Sequence, residues 1–152
     1  MVNLRAKPFC LDDEQIAWVE NAIAGMTLEE KIGQLFVLLK GEPGVNEERI
    51  RDMVAQSRQG GLRWQGGDRE AVWQQNTLFQ KYSKLPLFIA ANCDDGGNSV
   101  VPGGTFVATA AECGAGNGTT NAYHIGLVAG REASAVGCNW MFNPVVDVYQ
   151  NW

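Results

Sequence analysis

A single histidine, His124, stands in 152 residues, and the four cysteines (Cys10, Cys93, Cys113 and Cys138) form no C-x-x-C pair. A zinc site built from clustered thiolates and imidazoles therefore has no spacing to rest on, and no metal is expected. Positive charge is also scarce. Lys and Arg number 12 against 17 Asp and Glu, a net charge of −5, so no cationic surplus exists to displace counterions from nucleic acid. The longest apolar stretch, around Leu35–Leu39, falls far short of the ~20 residues that span a bilayer. The opening MVNLRAKPFCLDDEQ has no apolar core after its basic residues, so the expectation is a soluble, cytoplasmic protein without a secretory leader. Cysteine this sparse favours free thiols, most of them packed as small hydrophobes, over a disulfide framework. There is no G-x-S-x-G and no Ser/His/Asp set. The GAGNG of Gly114–Gly118 neither completes G-x-G-x-x-G nor meets the Lys-Ser/Thr of a phosphate loop. No cofactor is called for.

What is present is 45% apolar residues, 19% charged and 18 glycines. That is too apolar for a disordered chain. The length suits one domain of about 100–200 residues but not a complete (β/α)8 barrel of about 250.

Along the chain, helices and short apolar strands alternate. Asp12 and Gln15 cap a helix carrying Ile16, Val19 and Ile23, and Thr27 with Glu30 opens a second. FVLL reads as a strand ended by Lys40-Gly41-Glu42-Pro43-Gly44. Asn46 caps a helix through Arg58, with Ile50, Met53 and Val54 on one face, and Gln59-Gly60-Gly61 stops it. GLRWQ is a second strand. DREAVWQQNTLFQKYS is a helix with Val72, Leu78 and Phe79 among its apolar residues, and LFIAANC is a third strand of the continuous apolar kind buried on both faces. Asp94 to Gly118 reads as a long loop with at most short elements. A helix from about Thr120 presents Ala122, Ile125, Ala129, Ala133 and Val136, stops at Gly137, and has Gly126 and Gly130 placed for close packing. CNWMFNPVVDV is a fourth strand. The fold class is α/β: parallel βαβ units, about four strands.

In such architectures ligands bind at the C-terminal ends of the strands. Arg63, Trp64 and Gln65 lie there on strand two, Asn92, Cys93, Asp94 and Asp95 on strand three, and Asn143 and Asp147 on strand four. Carboxylates, carboxamides and a guanidinium suit vicinal hydroxyls, and Trp64 offers a face on which sugar rings stack. Each residue also has a structural reading. Asp94 and Asp95 suit turns that bond nearby amides, Asp147 a buried anchor, Arg63 a salt-bridged rim residue and Trp64 core packing. His124, inside the last helix, reads as a surface or core histidine.

MTLEEKIGQLF, GGLRW, LPLFIAANCDDGGN and YHIGLVAGREASAVGCNWMFNPVVDV occur in an order that resembles the N-terminal barrel domain of glycoside hydrolase family 3. The specific element is GREASAVGCNWMFNPVVD. The resemblance covers about Met26 to Trp152 and leaves 1–25 as a leading helical segment of an incomplete barrel domain, 1–152. It implies the first half of a TIM-type (β/α)8 barrel from a retaining β-glycosidase, with β-N-acetylhexosaminidase the favoured activity and a terminal β-linked sugar as partner. Carried over, Asp94 or Asp95 takes the glycone-binding role and Asp147 closes the P-V-x-D strand; the family's usual D-x-E-G-G places its aspartate at Cys93. Arg63 and Asn92 complete the expected substrate-binding set. The Lys-His motif, nucleophile and acid/base of the family have no counterpart here, so the isolated chain is expected to be catalytically silent. Half a barrel leaves two open edges, so it is expected to self-associate, to pair with a missing C-terminal half or to expose apolar surface. The competing readings are a non-catalytic sugar- or metabolite-binding α/β module and, resting only on the glycine-rich loop, a nucleotide-binding domain.

Overall fold

The computed structural model describes residues 2–40, 46–64, 66–148 and 150. Its elements run α1 (Asp13–Ala24), α2 (Leu28–Gly33), β1 (Val37–Lys40), α3 (Glu47–Ser57), β2 (Gly61–Trp64), α4 (Arg69–Tyr82), β3 (Phe88–Ala91), α5 (Ala110–Ala115), α6 (Thr120–Ala135) and β4 (Trp140–Met141). The strands form one parallel sheet in the order β1-β2-β3-β4.

Local chemistry sets most boundaries. Asp12 and Gln15 close a capping box on α1, and Thr27 and Glu30 close one on α2; each satisfies amides that the first helical turn leaves without partners. Asn46 caps α3, whose end is taken by Arg58 in the left-handed region (φ 49) rather than by a following glycine. Asp68 accepts from two amides to start α4. Gly137, at φ +86, ends α6 where a side chain would be strained. The segment Lys40-Gly41-Glu42-Pro43-Gly44 lies largely outside the described residues, as does Gln65.

Alternation along each strand sorts the side chains onto two faces. Leu62, Trp64, Ile89 and Ala91 point toward the helices and join Ile50 and Val54 of α3, Val72 and Phe79 of α4, and Ala129 and Ala133 of α6 in one core. The glycine of GLRW is required by proximity: a Cβ on Gly61 would lie 2.6 Å from the Phe88 carbonyl oxygen. Two carboxamides knit the layers. Asn76 of α4 accepts from Trp64 Nε1 (2.6 Å) and donates to the Val136 carbonyl (2.7 Å). Asn139 accepts from the Ile89 amide (2.7 Å) and donates to the Leu87 carbonyl (3.0 Å), adding side-chain rungs to the β3–β4 ladder.

Three expectations are corrected. The fourth strand is two residues long, because it pairs with β3 alone and Pro144 has no N–H to extend a ladder; Val145, Val146 and Val148 are exposed. Gly126 and Gly130 pack against nothing, since a Cβ at either meets no atom within 4 Å. Ala122 is exposed rather than inward. The Asp94–Gly118 stretch does contain only short elements, a 3-10 turn at Gly97–Ser99 and α5. α5 begins with the Thr109–Glu112 capping box, whose T-x-x-E spacing is visible in the sequence. Of the cysteines, Cys93 and Cys138 are buried free thiols, whereas Cys10 is exposed and Cys113 half-buried, so core packing describes two of the four.

Candidate functional site

Arg63 lies on the open face of β2, and Asn92 follows β3 directly. Arg63 Nε donates to Asn92 Oδ1 at 3.0 Å, and Asn92 Nδ2 reaches Asp94 Oδ2 at 3.5 Å. Guanidinium, carboxamide and carboxylate thus form a relay at the C-terminal ends of neighbouring strands. Arg63 makes no salt bridge among the described residues. Its guanidinium instead lies 5.7 Å over the ring of Phe142, just past β4. Phe142 meets Trp140 edge-on with ring centres 4.6 Å apart, and Trp140 lies 5.4 Å from Phe88. This aromatic row runs up the open face to the polar relay.

Asp94 is exposed, whereas Asp95 is half-buried and holds the Ser99 hydroxyl through its carboxylate. The Asp95 carbonyl also accepts from Val107 N at 2.8 Å. The turn reading of Asp95 is therefore the observed one. The loop behind it is closed by Gly96 at φ +122, where a Cβ would run into the Thr105 carbonyl, and by Gly97, where a Cβ would overlap the Glu132 carboxylate. Glu132, from GREASAVG on α6, accepts from Thr105 N (2.9 Å) and Thr105 Oγ1 (2.6 Å) and so latches the loop to the helix. Glu132 is the one carboxylate of α6 and faces a glycine-rich loop, and that is the signal that could have marked it.

Cys93 faces the core side of the strand. Burial first, and then the nearby Asp94, Asp95 and Glu132, push its thiol from 9.0 up to about 11. A thiol so disfavoured as thiolate is no nucleophile at neutral pH. The polar groups at this strand end are Asn92 and Asp94, which flank the cysteine. Asn143 donates to the Cys93 carbonyl at 3.4 Å, and its buried Oδ1 has no hydrogen-bond partner among the described residues.

The remaining candidates separate. Asp147 is exposed and forms no hydrogen bond or ion pair with the relay, which overturns the buried-anchor reading. Trp64 is core packing, 3% exposed and bonded to Asn76. The accessible aromatic faces belong to Trp140 and Phe142, one strand residue apart in NWMF, and alternation counted from Arg63 through the register identifies them. His124 is exposed on α6, edge-on to Tyr123 at 5.8 Å. Gly114–Gly118 lies between two helices rather than after a strand, and no cluster of three potential metal ligands occurs among the described residues.

Comparison with known proteins agrees with this geometry. The family model described as the glycosyl hydrolase family 3 N terminal domain matches residues 27–152. A "Beta-N-acetylglucosaminidase/beta-glucosidase" of Cellulomonas fimi is 34% identical over 152 residues, all of this chain and 27% of that protein. A "Periplasmic beta-glucosidase" of Salmonella typhimurium is 30% identical over 134 residues, 87% of this chain and 16% of that protein. Among solved structures, "Beta-glucoside phosphorylase BglX bound to 2FGlc" superposes with a TM-score of 0.86 at 32% identity, covering 95% of this chain and 26% of that one. The chain thus spans about a quarter of the Cellulomonas fimi protein and of the phosphorylase. The parallel sheet it folds into is the first half of a TIM-type barrel, and the chain belongs to glycoside hydrolase family 3.

Proposed function

We propose that this chain supplies the glycone-binding half of a family 3 catalytic barrel, its ligand a terminal β-linked sugar. The observation that carries the proposal is the Arg63–Asn92–Asp94 relay at the C-terminal strand ends. A planar donor fork, an amide and an exposed carboxylate side by side match the donor and acceptor pattern of adjacent sugar hydroxyls. Phe142 gives the relay an apolar neighbour. Asp95 acts by shaping the loop, and Asp147 stands as an outlying contact. The names of the relatives favour β-N-acetylglucosaminides and β-glucosides as the substrate class. The leading segment 1–25 and the family region 26–152 make up one incomplete barrel domain.

The role is binding rather than bond cleavage. Retaining hydrolysis uses two carboxylates about 5–5.5 Å apart, whereas the groups joined here are a cation, an amide and one carboxylate. A second reading concerns the acceptor of the glycosyl group. The solved relatives named phosphorylases favour phosphate over water in the complete barrel. No helix among the described residues is long and apolar enough to cross a membrane. The buried free thiols support a reducing compartment such as the cytoplasm.

Calorimetric titration with N-acetylglucosamine and with glucose tests binding, and aryl β-glycoside turnover in phosphate-free and phosphate buffer tests silence. The expected result is weak sugar binding, lost in Asp94→Asn, with no turnover in either buffer. Turnover abolished by that substitution overturns the claim of silence, and nucleotide binding without sugar binding overturns the ligand class.

A further inference from the structure

Outside the α-helices, asparagine side chains in this molecule are engaged. Asn3, Asn46 and Asn98 accept from backbone amides, and Asn92, Asn139 and Asn143 bond to neighbouring strands. Among the described residues Asn117 is the exception. It is exposed in the turn between α5 and α6, and its carboxamide makes no hydrogen bond among the described residues. Its backbone lies in the left-handed region (φ 49), which asparagine enters more readily than most residues. The next residue is Gly118, and no other asparagine of the chain precedes a glycine. The Gly118 N–H donates to no acceptor among the described residues. Glycine also puts no side chain beside its own nitrogen and leaves the backbone free to turn. A free carboxamide and the free amide that follows it can close a five-membered ring.

We propose that Asn117–Gly118 is a site of self-modification, at which the chain deamidates with water as the only reagent. Hydroxide takes the Gly118 amide proton, and the nitrogen attacks Asn117 Cγ. The N–Cγ bond forms and the Cγ–Nδ2 bond breaks. Nδ2 takes a proton from water and leaves as ammonia, which regenerates the hydroxide. Water then adds to one of the two ring carbonyl carbons and breaks its bond to the ring nitrogen. Opening at Cγ gives aspartate, and opening at the backbone carbonyl gives isoaspartate with the main chain running through Cβ. One water is consumed, one ammonia is released and nothing is oxidised or reduced. The product carries a carboxylate that is ionised at neutral pH, one negative charge beyond the −5 of the native chain. The fold accepts that charge where it appears. α6 starts at its N-cap Thr119 without a side-chain cap and with no acidic residue in its first turn, so its free amides present partial positive charge to the turn ahead of them.

Every group involved lies between α5 and α6, so the proposal stands apart from the sugar reading of the strand ends. Isoelectric focusing of the 152-residue chain tests it, after storage in warm, mildly alkaline buffer and in mildly acidic buffer. The expected result is a growing band one charge more acidic in the alkaline sample, with ammonia released in equal amount. Peptide fragmentation should place aspartate and isoaspartate at position 117 and leave Asn98 intact. Asn117→Asp should focus at the acidic position from the start. Gly118→Ala should slow the band severalfold. A Cβ there meets only the Gly116 carbonyl oxygen, at 3.8 Å, so the variant keeps the fold and its slowing reports hindered attack. A native chain that keeps a single band in alkaline buffer overturns the proposal. So does a shift that maps to another asparagine, or a Gly118→Ala chain that shifts at the native rate.

Discussion

Asn76 holds three elements with one carboxamide, accepting from Trp64 on β2 and donating to the carbonyl of Val136 at the end of α6. Asn76→Ala orphans two buried groups, at about 1–3 kcal/mol for each. Urea unfolding should therefore show a large loss, and Asn76→Asp a similar one because the Val136 carbonyl again loses its donor. The buried thiols give a pH signature. Burial raises Cys93 from 9.0 to about 11 and Cys138 to about 12. The unfolded chain releases these protons near pH 9 and the folded chain resists, so this contribution to stability is complete below pH 9 and is lost as pH climbs through 11 to 12. Denaturation midpoints of Cys93→Ala/Cys138→Ala should fall less steeply over that range than those of the native chain. An equal slope would show that the thiols do not couple to folding. In the native state a thiol reagent should label Cys10 at once and leave Cys93 and Cys138 until unfolding.

At the scale of elements, the loop after β3 depends on α6. Glu132 takes both hydrogen-bonding groups of Thr105, and Gly97 packs on its carboxylate with no room for a Cβ. Glu132→Ala should release the loop, read as faster hydrogen exchange between residues 96 and 107 and weaker sugar binding, with the sheet amides unaffected. Unchanged exchange in that segment would remove the latch. Gly126 and Gly130 stand in the middle of α6 with open space around them. Alanine at either should stabilise the chain by about 0.5–1 kcal/mol, measurable by thermal melting. Helix starts were legible in the sequence because a cap is local: Asp12, Thr27, Asn46 and Asp68 each act within three residues of themselves. The extent of β4 was not. CNWMFNPVVDV has strand composition throughout, but a strand lasts only as far as a neighbour offers backbone groups, and β3 offers them to Trp140 and Met141.

For the molecule as a whole, the open sheet face leaves Phe88 and Trp140 in water, and dye binding reports it cheaply. The isolated chain should bind ANS on that face, and Trp140→Glu should lower the fluorescence. The strand order, the parallel pairing and the family were all contained in the sequence, because they follow from the alternation of short apolar runs with capped helices and from one specific motif ending in P-V-x-D. Arg63, Asn92 and Asp94 were named there as well, since chemistry at strand ends can be read from position. The tertiary structure alone decided which of the candidates meet. It joined Arg63 to Asn92 and Asp94, turned Asp95 into its own loop, left Asp147 in water and moved the accessible aromatic face from Trp64 to Trp140 and Phe142. Residue type and periodicity report which face a side chain takes. Hydrogen bonds between strands some thirty residues apart depend on register, which only the packed sheet sets.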